Sequence, residues 1–211
     1  CDEAKFLELT IAPEVIAIDR PAGHLITRWI HGDSLDGATV SPSDASQYLR
    51  DLHAVIPKGM TEYNAMNFVR HNLRRSGTLS MEVAEIWNSL RWTVDEIVGC
   101  HNDLNPMNII RSGATWWTLD WETAGDNDPI FDLVGLAYGL RYDDHDFLNF
   151  LSEYFKQDSF PPSINRLLST RVLFQMREHT WALSQLQMGN DRSEIRTQVK
   201  SSERELIRLA E

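Results

Sequence analysis

Cysteine is scarce in this chain of 211 residues: there are two, Cys1 and Cys100. Two cysteines make no disulfide framework, and the pair fits a reducing, cytoplasmic compartment. No apolar run approaches the roughly 20 residues that span a bilayer, so no membrane partner is expected. Basic residues are few as well, with 20 Lys and Arg against 31 Asp and Glu and a formal net charge of −11. Such a surface repels phosphate backbones, which sets nucleic acid aside and suits a cationic small molecule. The seven histidines are scattered, without the spacing of a zinc site, and that argues against a metal-dependent hydrolase. Internal repeats, low-complexity tracts and long linkers are absent too. The length leaves room for one large domain or two small ones with a real core.

What is present divides into a short β-prone start and a long helical remainder. Glu14 to Ile18 and His24 to Ile30 are β-branched runs separated by Asp-Arg-Pro-Ala-Gly, a turn-forming cluster. The stretch Asp2 to Leu9 before them is short and helix-prone. Ser41-Pro42-Ser43-Asp44 supplies a cap, a proline at the first helical position and an acid in the first turn. A helix to about His53 should follow. Further helices are expected over Glu62 to Arg75, Ser80 to Ile97, Asp132 to Leu140, His145 to Phe155, Ile164 to Met188 and Ser193 to Leu209.

One stretch breaks the helical run. Asn108 to Arg111 and Thr115 to Leu119 are β-prone and joined by Ser112-Gly113-Ala114, which is a hairpin signature. Antiparallel strands turning near Gly113 bring Asn108, at the start of the first, beside Asp120, at the end of the second. An amide carbonyl next to a carboxylate is a pair of hard oxygen ligands, suited to the Mg²⁺ of a nucleotide. Asp103, in the loop just upstream, faces the same space. There a carboxylate can take the proton of a substrate hydroxyl as its oxygen attacks a γ-phosphorus. His101 is placed to brace that loop. Asp132, in Phe131-Asp132-Leu133, reads as a structural acceptor for loop N–H groups. Singly, such residues are turn formers or solvated polar groups. The order His-x-Asp, Asn, hairpin, Asp, Asp is what makes the pattern specific. Cys100 beside His101 is read as a small buried apolar residue rather than a nucleophile.

His101-Asn-Asp-Leu-Asn-Pro-Met-Asn108, Leu119-Asp-Trp-Glu122 and Gly125 to Leu133 resemble the motifs of the choline/ethanolamine kinases, within the wider aminoglycoside-phosphotransferase-like group. The acid after the aromatic in Asp120-Trp121-Glu122 is similar to the choline-kinase and thiamine-kinase branch. The resemblance runs from the N-terminus to about Trp181 and implies an α+β, protein-kinase-like fold. Residues 1–30 would be a remnant of the N-lobe with the hinge, a short helix and two strands. Residues 31–211 would be the mostly helical C-lobe with its catalytic hairpin. ATP and Mg²⁺ are the implied cofactors, and a small, cationic alcohol is the implied partner. Asp103 and His101 would be catalytic, and Asn108 and Asp120 the metal ligands. The backbone of Thr27, Arg28, Trp29 and Ile30 would hold the adenine.

The resemblance also gives Glu122 and Trp181 to the substrate pocket and Glu3 to a helix whose Glu pairs with a phosphate-binding Lys. A second pocket aromatic, expected about one turn after Trp181, is Ser184 here. The acid expected soon after Asp132-Leu133 is also absent, with Tyr138 and Gly139 in that region. The phosphate-binding Lys, the glycine-rich loop and the first three strands of the family have no counterpart in these residues. The expectation is that residues upstream of Cys1 supply them and that the 211 residues alone are inactive. Choline or ethanolamine leads as acceptor, followed by thiamine and an aminoglycoside. The rival from another class is a catalytically inactive small-molecule binding protein that has lost its phosphate clamp.

Overall fold

A computed structural model describes Phe6, residues 9–155 and residues 162–211. The helix expected over Asp2 to Leu9 lies almost entirely outside these residues, as does Glu3. By contacts the chain forms two compact units, Cys1–Tyr63 with Val94–Pro161, and Asn64–Thr93 with Pro162–Glu211.

The first unit carries all the strands. β1 (Val15–Asp19) and β2 (His24–Thr27) pair antiparallel, with Ile18 opposite Leu25 and Asp19 opposite His24, and a bulge between Val15 and Ala17. The turn between them is held by Asp19, whose carboxylate accepts the Ala22 N–H at 3.1 Å. β3 (Asp33–Ser34) is a short strand that pairs with β5 (Ile109–Ser112), and β5 pairs with β6 (Thr115–Thr118). β4 (Val98–Cys100) pairs with β7 (Gly125–Asn127).

Three α-helices complete this unit among its described residues. α1 (Pro42–Val55) starts as its sequence requires, Ser41 Oγ accepting the Asp44 N–H at 3.1 Å. α2 (Ala65–Ser76) and α3 (Met81–Ser89) belong to the second unit. α4 (Pro129–Leu140) begins three residues earlier than expected, because Asp128 is the cap and accepts the Ile130 N–H at 3.0 Å. Every residue from Pro129 to Ala137 is buried, so α4 is the axis of the unit's core, with Asp132 its one charged residue. α5 (Asp144–Tyr154) packs on α1, and Ser46 donates across that seam to the Phe150 carbonyl at 2.8 Å.

The helix expected over Ser80 to Ile97 is shorter. α3 ends at Ser89, and β4 begins at Val98. The apolar run Glu96-Ile-Val-Gly-Cys100 reads equally as a helix end or a strand, and only pairing with Gly125–Asn127 decides it. The second unit is all helical. α6 (Ile164–Gln187) packs against α2 and against α7 (Ser193–Ala210), and α3 also meets α7. No helix among the described residues is long and apolar enough to cross a membrane.

Candidate active site

The β5–β6 turn is Gly113-Ala114, with Gly113 at φ +62°. A positive φ at the first of two turn residues matches the twist of the flanking strands and costs glycine nothing. The register then sets Ser112 against Thr115 and Ile109 against Thr118. One step further, the Leu119 N–H donates to the Asn108 carbonyl at 2.8 Å. Asn108 and Asp120 therefore meet at the open end of the hairpin. The Asn108 Nδ2 donates to the Asp103 carbonyl at 3.0 Å, which ties the upstream loop to the same end.

Asp120 sits at φ +62°, in the left-handed region that Asp and Asn tolerate better than other side chains. Its carboxyl is pushed above its ordinary pKa, first by partial burial and then by the charges of Glu122 and Asp103, with His101 opposing. Three carboxylates and an amide carbonyl thus converge on one region. Their mutual repulsion is what a hard divalent cation relieves, so the oxygen donors of this region fit a Mg²⁺-type ion.

His101 is fully buried, and both ring nitrogens are spent inside the fold. Nε2 donates to the Leu119 carbonyl at 2.9 Å, and Nδ1 accepts the Asp103 N–H at 3.3 Å. These partners set the tautomer, and the ring ties the Asp103 loop to the end of β6. It packs edge-on against Trp121 at 5.0 Å, and the buried Trp121 ring stacks on Phe6 at 6.1 Å.

Asp132 lies beneath the loop. Its two oxygens accept the N–H groups of His101 and Asn102, each at 2.7 Å, and His53 Nε2 donates to it at 3.1 Å. Burial pushes its pKa up, but the His53 hydrogen bond and charge, with His101, outweigh this and hold it below the usual carboxylate range. The other nitrogen of His53 lies 2.6 Å from the Tyr154 hydroxyl. Cys100 shares this centre, and burial together with the charges of Asp132, Asp128 and Asp126 pushes its thiol well up. A thiol so reluctant to ionise is no nucleophile. His53, Cys100 and Asp132 are close enough to hold a metal, but Asp132 already accepts three hydrogen bonds, so the cluster reads as a structural centre.

Asn102 is the residue that sequence reasoning passed over. It is 1% exposed, at φ +66°. Its Nδ2 donates to the carbonyls of Thr123 at 3.0 Å and Gly125 at 3.1 Å, and its Oδ1 accepts from Asn127 Nδ2 at 2.7 Å. An Asn between His and Asp hints at a left-handed backbone, but its partners lie far along the chain and no local signal reveals them. The same stretch is anchored on its other side. Asp126 N–H donates to the Thr61 carbonyl at 2.6 Å, and the Asp126 carboxylate accepts the Gly59 N–H at 2.8 Å.

Glycine is required at Gly139, where a Cβ would fall 2.1 Å from the Pro106 ring. The missing acid near Tyr138 and Gly139 therefore has a steric reason at 139: α4 approaches the Pro106–Asn108 turn too closely for a side chain there. A cleft of about 250 Å³ lies nearby, between the Gly37–Val40 loop and the Gly139–Tyr142 turn.

The remaining candidates are more dispersed. Thr27 ends β2, and the Arg28 N–H donates to the Glu14 carbonyl at 2.8 Å, one step past the strand. The side chains of Arg28 and Glu14 form an exposed ion pair at 2.6 Å. Trp29 is 78% exposed, and Ile30 is half-buried. Glu122 is exposed and acts on the Asp120 charge. Trp181 belongs to the second unit, on α6, and is partly exposed. Ser184 is buried, its hydroxyl returned to the Trp181 carbonyl at 2.8 Å, so it presents nothing at the surface of that helix.

Residues 4–162 match the sequence profile of the phosphotransferase enzyme family. The structure is similar to a choline/ethanolamine kinase family protein from Mesorhizobium loti, with a TM-score of 0.75 and 22% identity over 100% of this chain and 76% of that one. It is also similar to the choline kinase LicA from Streptococcus pneumoniae, with a TM-score of 0.79 and 20% identity over 97% of this chain and 79% of that one. At such identities these likenesses establish a shared α+β, protein-kinase-like fold. A stretch of 35 residues is 46% identical to Protein LicA of Haemophilus influenzae, and it spans 17% of this chain and 13% of that relative.

Proposed function

The chain belongs to the phosphotransferase enzyme family, and from that premise we propose that it transfers the γ-phosphate of ATP to the hydroxyl of a small, cationic alcohol of the choline or ethanolamine kind. The observation that carries this reading is the meeting of Asn108, Asp120 and the Asp103 loop at one end of the β5–β6 hairpin. Asp103 is the base that receives the proton of the acceptor hydroxyl. His101 and Asp132 hold its loop in place. Asn108 and Asp120 hold Mg²⁺, which when bound neutralises charge on the phosphates. Thr27, Arg28, Trp29 and Ile30 receive the adenine, and Glu122 attracts the cationic end of the acceptor by charge; Trp181, in the second unit, offers a ring face of the kind that attracts a cation. Residues 1–30 are the N-lobe remnant with the hinge, and residues 31–211 the C-lobe. The compartment we assign is the cytoplasm.

The test is turnover of a panel of alcohols by the full-length native protein with MgATP, read by coupled ADP detection. Choline or ethanolamine is expected to lead, ahead of thiamine and an aminoglycoside. Absence of MgATP binding by calorimetry would remove the kinase reading and leave a small-molecule binding protein.

A further inference from the structure

The catalytic loop and the segment that follows the metal ligand are separate stretches of chain, and a phosphotransferase needs them at a set distance. The β5–β6 ladder ends at Ile109 and Thr118, with one further bond from the Leu119 N–H to the Asn108 carbonyl, and the chain then leaves that hairpin to pair with β4 at Gly125–Asn127. We propose that Asn102 is the positioning residue that carries the β4–β7 join on into the loop, a latch between the loop carrying Asp103 and the segment Thr123–Asn127. The inference rests on the phosphotransfer reading for its effect on rate, though the latch itself is a statement about geometry.

Three observations point to it. The side chain is buried and makes its three shortest bonds to that segment, two donations to carbonyls and one acceptance from Asn127, beside a longer donation to the Cys100 carbonyl at 3.4 Å. A buried amide satisfied at both ends holds its partners far more firmly than an exposed one. The residue also occupies a left-handed backbone conformation, at φ +66°, where glycine would be at least as comfortable. Asn is there for its side chain, since the backbone alone would be served by Gly. Finally, a second bond runs the opposite way, from Thr123 Oγ1 in the segment to the His101 carbonyl in the loop at 3.0 Å. Loop and segment are thus joined by side chains from both. Asp103 follows Asn102 directly, so any play in the latch becomes play between Asp103 and Asp120.

The substitution that isolates the latch is Asn102→Gly, which keeps the backbone free to adopt positive φ and deletes only the side chain. In the full-length protein we expect kcat to fall about 10- to 100-fold while KM for MgATP and acceptor stays within about threefold. Amide hydrogen exchange at residues 124–126 should accelerate at least about tenfold over wild type, with β5 and β6 unchanged. Asn127→Ala should produce the same pattern more weakly, and the double variant should lose less than the two singles combined. Turnover within twofold of wild type, or unchanged exchange at 124–126, overturns the proposal. So does a KM effect with kcat preserved, because that places Asn102 in binding. If the wild-type protein neither binds MgATP nor turns over, the phosphotransfer reading fails by itself. The exchange measurement then decides the latch alone.

Discussion

Two β-hairpins stand at opposite ends of the first unit's sequence. Both are built from β-branched and aromatic runs around a glycine-bearing turn, yet they have different fates. In β1–β2, Ile16 is 60% and Ile26 56% exposed, and the turn side chains lie in solvent. In β5–β6, Ile109 and Thr118 are fully buried, and Thr118 meets the Tyr48 hydroxyl at 2.8 Å. The strand signal in sequence is the same for both. What separates them is packing at the open end, where β5–β6 receives His101, Trp121 and the Asp103 loop. A hairpin becomes a site when other elements converge on its end.

That contrast can be broken most sharply at Asp103. Asp103→Asn is expected to lower turnover by about 10²–10⁴-fold with little change in nucleotide affinity. A rate near wild type would strip the β5–β6 end of its assigned chemistry. Next in size, Ile109→Ala should cost about 2–5 kcal/mol of stability by urea unfolding, because it opens a cavity under the hairpin. The centre beneath the loop follows. Asp132→Ala leaves two buried N–H groups and His53 without their acceptor, and a loss of about 3 kcal/mol is expected.

The same residue sets a pH dependence. Its folded pKa is depressed, so the stability it contributes is present above the ordinary Asp value of about 3.9 and is lost as pH falls through the lower folded value. In Asp132→Asn that acid-side loss should flatten. An unchanged acid limb would show that the His53–Asp132 pair is not what holds the loop. At the small end, Ile26→Thr in β2 should change stability by no more than about 0.5 kcal/mol. A cost comparable to that at Ile109 would mean the first hairpin is covered in solution and would erase the distinction.

Much of this was readable from the chain. Ser41-Pro42 announced the start of α1, and Gly113 announced the turn, because caps and turns are chemistry between near neighbours. The hairpin in turn placed Asn108 beside Asp120 with no knowledge of the rest. Reading failed where partners are distant. The helix expected to run on to Ile97 stops at Ser89, and the strand Val98–Cys100 that follows has no local signal, since Gly125–Asn127 supplies the pairing. The start of α4 slipped by a turn because Asp128, not a residue nearer Asp132, caps it. The work of Asn102 was invisible, because its bonds to Thr123, Gly125 and Asn127 each cross more than twenty positions of sequence.

By itself the sequence determined the residue types, the local turns and the order in which an acid, an amide and a second acid arrive along the chain. Those depend on backbone sterics and on side chains a few positions apart. Only the tertiary structure decided that His53 joins Asp132 beneath the loop, that Asn102 bonds to Thr123 and Asn127, and that α4 comes close enough to Pro106 to admit nothing larger than glycine. The physical reason is that burial and charge proximity are set by distance in space, which the spacing of letters records only when the chain turns back on itself at once.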